Sequence, residues 1–182
     1  MPRWPWRAEQ PSGSKTDSNV AELPREDVTP TIDGAREQEG GDGGIAPLTL
    51  LRVAEALEKL EIRYLTDGDG SLLALWERHA VLFALEGPSD EILVIRARPH
   101  ATVPPDWADR SYRVVNEWNH TRRFYKAYVG DPTDRGQLPI YAEMQVPLLS
   151  GVHDALIAEL VDCAAVVALG FADWLHDEGG LL

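Results

Sequence analysis

At 182 residues, with 44% apolar and 26% charged side chains, the chain has the length and composition of one globular domain with residues left over, so it is not disordered throughout. A formal net charge of −13 and a pI near 4.7 set it against phosphate backbones and anionic membrane surfaces. The densest basic group, Arg122-Arg123 with Lys126, is too small to reverse that field, and one cysteine, Cys163, excludes an intramolecular disulfide.

Residues 1–45 read as a disordered, acidic and Gly-rich tail. The run Glu39-Gly40-Gly41-Asp42-Gly43-Gly44 has too much backbone entropy to hold regular structure. Met1-Pro2-Arg3-Trp4-Pro5-Trp6-Arg7 lacks the apolar stretch of a secretory signal. No segment offers the roughly 20 continuous apolar residues of a membrane span. The cytoplasm is the expected compartment, with no membrane and no nucleic acid among the partners.

The folded domain is expected over 46–182. Apolar residues at 50, 53, 54, 57 and 60 form one stripe of a helix from Leu48 to Leu60, with Pro47 at its start. The period then changes to two. Strands are predicted over Ile62–Leu65, Leu72–Trp76, Ala80–Leu85 and Glu91–Arg98. The turns between them, Asp67-Gly68-Asp69-Gly70 among them, are too short for parallel crossovers, so the strands are antiparallel neighbours. A second helix is predicted from Trp107 to Arg122, with Trp107, Val114, Val115 and Trp118 along one side. Tyr125–Val129 and Gln137–Gln145 form a hairpin, in which Pro139 makes part of the second arm an edge or a bulge. A long apolar helix from Val152 to about Asp177 ends before Gly179-Gly180. The order α-β-β-β-β-α-β-β-α is an α+β domain, a twisted antiparallel sheet with helices packed on one face.

Chemistry is hard to find. There is no Walker loop, GxGxxG or GxSxG, and the Asp67–Gly70 cluster lacks the staggered ligands of a calcium loop. The five histidines, at 79, 100, 120, 153 and 176, show no ligand spacing, so no metal and no cofactor is expected. Cys163 lies among apolar and acidic neighbours and reads as a small core residue, not a nucleophile. The dense constellation is Val115-Asn116-Glu117-Trp118-Asn119. Asparagine inside a helix competes for the backbone and carries a cost. Either its amides bond the following hairpin or a sheet edge, or Asn116, Trp118 and Asn119 form a polar recognition site for a partner.

That segment, followed by Phe124-Tyr125-Lys126-Ala127-Tyr128-Val129 and by Gly151-Val152-His153-Asp154-Ala155-Leu156, resembles the YbjN domain of bacteria. The resemblance covers about residues 46–177 and departs at Phe124-Tyr125, where relatives often have Trp-Pro. It implies a fold similar to type III secretion chaperones, a role in sensory transduction regulation, and no catalytic residue. Chaperones of that fold commonly dimerise and bind extended client segments. The expected function is thus a non-catalytic protein-binding module, chaperone-like or regulatory, with a protein client or regulatory partner and a homodimer as its assemblies. The alternative is an enzyme with a composite histidine and carboxylate site that only folding would bring together.

Overall fold

The computed structural model describes residues 44–182. The tail expected at 1–45 lies outside the described residues, save its last two. Helix α1 (Leu50–Lys59) leads into strands β1 (Tyr64–Thr66), β2 (Leu72–Leu75), β3 (His79–Glu86) and β4 (Ile92–Pro99). A 3-10 turn (Pro105–Trp107) and helix α2 (Ala108–Thr121) follow, then β5 (Lys126–Val129), β6 (Ile140–Pro147) and helix α3 (Asp154–His176). The six strands form one antiparallel sheet in the order β1-β2-β3-β4-β6-β5. This is the α+β architecture and element order that the periodicity implies.

Alternation along each strand divides the sheet into two faces. Leu72, Ala74, Val81, Phe83, Leu93, Ile95, Ala97, Ala127, Ile140, Ala142 and Met144 point into the core. The buried stripes of all three helices meet them there, led by Val53 and Leu57 of α1, Val115 and Trp118 of α2, and Ile157, Val161, Phe171 and Leu175 of α3. Each large apolar side chain buried this way contributes about 1.5–3 kcal/mol. By length and composition α3 could also cross a membrane. In this fold its inner stripe is core, while Leu156, Val166 and Leu169 are exposed.

Three local expectations change. Pro139 was expected to make its arm an edge or a bulge. Instead β6 begins one residue later and runs inside the sheet between β4 and β5. Ahead of the ladder the missing N–H costs nothing, and the Pro139 carbonyl accepts from Gly130 N–H at 2.8 Å. Helix α3 starts at Asp154, not Val152, because Val152 pairs with Ala46 in a short bridge. Gly151 turns into that bridge at φ +86°, where a side chain would meet the Ala46 carbonyl at 2.9 Å. Trp107 belongs to the 3-10 turn and is exposed, so the buried side of α2 is Ser111, Val115 and Trp118.

Arg52 ties the two helix starts together. Its guanidinium donates to Asp154 Oδ1 at 2.7 Å and to the carbonyls of Ala46 (2.8 Å), Pro47 (2.7 Å) and Val152 (2.7 Å). A planar fork with five donors suits such convergent acceptors. Only folding brings Val152 and Asp154 to it, so no sequence pattern marks this residue.

Candidate binding face on the second side of the sheet

The asparagine and tryptophan motif lies on α2, beside β5. Trp118 is 3% exposed. Its ring meets Phe171 edge-on at 4.9 Å and Trp174 at 5.4 Å, and its indole N–H points to Tyr125 O at 3.3 Å. Asn119 reaches the sheet edge. Its Nδ2 donates to Ala127 O at 2.9 Å, and its Oδ1 accepts from Ala127 N–H at 2.7 Å. One side-chain amide thereby satisfies both outward backbone groups of Ala127, as a neighbouring strand would. Asn116 points to solvent. Of the three residues singled out from sequence, two are joined inside the fold and one is presented outside it.

The chain reaches β5 through a tight turn. Phe124 has φ +70° and Tyr125 N–H donates back to Arg123 O at 3.0 Å, a three-residue turn with a strained centre. It leaves the Phe124 ring 64% exposed and drives Tyr125 fully inside, where its hydroxyl donates to Ala164 O at 3.3 Å.

No described helix packs on the other face of the sheet, yet its centre is buried, with Leu73 5%, Leu82 6%, Val94 1% and Tyr141 5% exposed. One cross-strand row runs over all six strands: Leu65, Leu73, Leu82, Arg96, Glu143 and Lys126. Its β1 end is apolar, with Leu65 60% and neighbouring Leu75 48% exposed. Its β5 end is charged and aromatic. Arg96 pairs with Glu143 directly opposite, both largely buried, and Glu143 also accepts from Tyr128 Oη at 3.2 Å and Gln145 Nε2 at 2.6 Å. Tyr128 stacks on Tyr141 at 5.3 Å, and the Arg98 guanidinium lies 5.9 Å from the Tyr141 ring. Burial raises the pKa of both phenols, so they stay neutral donors. Gly130 leaves the space that the Tyr141 ring fills. Sequence reading missed this face, because alternate residues from six separated strands compose it. The outward Tyr128 and Tyr141 at period two were the available signal.

Against known proteins, the sequence matches the family described as "YbjN: Putative bacterial sensory transduction regulator" over residues 49–177. The chain belongs to the YbjN family. The fold agrees with "Crystal structure of YbjN, a putative transcription regulator from E. coli", at TM-score 0.61 and 14% identity, over 74% of this chain and 97% of that one. No curated protein matches the sequence. The quoted motif of the YbjN resemblance therefore lies on α2, on β5 and at the turn into α3, the last being the bridge that Arg52 clamps.

In this YbjN-family chain one histidine and carboxylate group does gather, at the β2–β3 turn. His79 is 1% exposed and stacks on Trp76 at 5.0 Å. Among the described residues neither of its ring nitrogens has a hydrogen-bond partner. Burial lowers its pKa first, and the charge of His100 lowers it further, against the opposing pull of Asp173. His100 Nε2 meets Trp76 O at 2.9 Å, and Arg78 pairs with Asp173 at 3.4 Å. Among the described residues no three His, Cys, Asp or Glu side chains could hold a metal ion. Cys163 is half-buried, and burial with Asp162 and Glu159 raises its pKa, which disfavours the thiolate.

Proposed function

We propose that this protein is a non-catalytic regulator that works in the cytoplasm by holding a partner protein against the exposed ends of the sheet face turned away from its helices. The observation that carries this reading is what that face leaves exposed at its two ends, Leu65 and Leu75 on β1 and β2 and Lys126 and Tyr128 on β5. Tyr buries much surface for little lost rotamer freedom, Arg offers a planar fork of donors, and both are enriched among the residues that dominate protein contacts. The net charge of −13 argues for a protein partner over nucleic acid. The description of the family as a regulator supports the same role.

In this reading Trp118 and Asn119 position β5, and with it Tyr128 and Lys126, while Asn116 offers a direct contact from the outer side of α2. The test is affinity capture by the full chain from lysate of its source, with wild type, Arg98→Glu and Tyr128→Ala compared at equal folded content. One partner retained by wild type and lost by both variants is the expected result. A partner captured equally by all three would place the contact elsewhere and defeat the proposal.

A further inference from the structure

Phe124 carries two costs at once. Its backbone sits at φ +70°, in the left-handed region that suits Gly and Asn and strains a bulky side chain. Its ring is 64% exposed, and among the described residues no aromatic ring stacks on it. The fold needs the turn but not the ring. Gly or Asn at this position would bury Tyr125 equally well, with its hydroxyl on Ala164 O, and without strain. A strained and exposed aromatic that the core does not use points to a contact made outside the chain. The charges beside it also lack opposite charges. Arg123 and Lys126 are exposed, and among the described residues neither enters an ion pair, although the chain carries a net charge of −13. Glu143 lies opposite Lys126 in the ladder, yet its carboxylate turns to Arg96, Tyr128 and Gln145.

We propose that Arg123, Phe124 and Lys126 receive an acidic segment of a partner protein, which offers an apolar site to the Phe124 ring and carboxylates to the two cations. This rests on the reading above and deepens it. Lys126 belongs to the β5 end of the same sheet face, and the inference names the chemistry of what binds there. The Arg123 guanidinium can meet a carboxylate with two parallel hydrogen bonds, while Lys126 acts as a movable point charge. A buried aromatic anchor beside such a pair has the make-up of the residues that dominate protein contacts. The acidity of the whole chain does not oppose this. At physiological ionic strength exposed charges more than about 8 Å apart are largely screened, so a segment docked here meets the local cations. A phosphate backbone would run on beyond two cations along a chain of net charge −13.

Fluorescence anisotropy tests it, with the full chain added to fluorescein-labelled peptides of about 12 residues at physiological ionic strength. The first peptide carries Glu and Asp around a central pair of Leu. The second has Ser in place of Leu, and the third has Lys in place of the acids. The first is expected to bind with a dissociation constant of roughly 10–100 μM, and the other two at least about tenfold more weakly. Phe124→Asn, and Arg123→Glu combined with Lys126→Glu, are each expected to weaken the first peptide at least about tenfold. Asn tolerates φ +70°, so Phe124→Asn should not lower the urea midpoint, and its loss of binding is then not a loss of fold. No binding of the first peptide up to about 1 mM would overturn the proposal. So would binding that ignores the acids, the leucines or Phe124→Asn, or tighter binding of a single-stranded oligonucleotide than of the first peptide. The lysate capture fails separately. A partner lost by Arg98→Glu and Tyr128→Ala but held by Phe124→Asn leaves the reading above standing and removes this inference. If wild type captures no partner, that reading falls, and the peptides still decide this one.

Discussion

Asn116 and Asn119 lie one turn apart on α2, and truncating each to alanine is expected to move stability in opposite directions. Asn119→Ala removes two hydrogen bonds to Ala127, each worth about 1 kcal/mol net in a typical setting. Ala127 is 5% exposed, so its N–H and C=O would be left poorly hydrated, at a cost of about another 1 kcal/mol. Alanine regains roughly 0.6 kcal/mol of helix propensity. The balance is a loss of about 2 kcal/mol. Asn116 is exposed, so Asn116→Ala keeps only the propensity term and gains roughly 0.6 kcal/mol. Urea unfolding at neutral pH reads both. At an m value of about 2 kcal/mol/M, Asn119→Ala should lower the midpoint by about 1 M with m unchanged, and Asn116→Ala should raise it slightly. Hydrogen exchange at Ala127 N–H should speed up in the Asn119 variant alone. Equal midpoints for the two variants would refute the idea that the Asn119 amide stands in for a seventh strand.

Arg52→Ala breaks a clamp on three carbonyls and a carboxylate, and is expected to cost about 2–3 kcal/mol with faster exchange at Ala46 and Val152, read by the same unfolding and exchange measurements. The folded pKa of His79 lies below its unfolded value near 6.5, so its contribution is fully present above that pH and is lost as the pH falls through the folded pKa. Replacing His79 with Phe, which keeps a ring against Trp76, should flatten the acid limb of the midpoint-versus-pH curve below about pH 6.5. Superimposable curves for the two proteins would argue against a neutral buried imidazole. Gly130→Ala places a methyl group in the Tyr141 ring and should cost about 1–3 kcal/mol while weakening the tyrosine near-UV circular dichroism signal of the Tyr128–Tyr141 stack.

The element order could be read without a structure because each element announces itself locally. Leu50, Val53, Ala54 and Leu57 repeat at the helical period, and Ala80 to Leu85 and Ile92 to Arg98 are short apolar runs closed by turn residues. The turns were too short for anything but antiparallel neighbours, so even the pairing of β1 to β4 followed from chain length. The cost of asparagine inside α2 pointed to a hydrogen-bonding role, and one of the two residues has it.

What tertiary structure alone decided is every relation between distant segments. That β6 and not β5 lies against β4 depends on the total burial of both faces, which no local pattern measures. The meeting of Arg52 with Asp154, of Arg96 with Glu143 and of Arg78 with Asp173 sets residues roughly 50 to 100 positions apart against one another. A hydrophobic period reports which side of an element faces inward. It carries no information on which other element will be there to meet it, because that choice is made by the packing of the whole core.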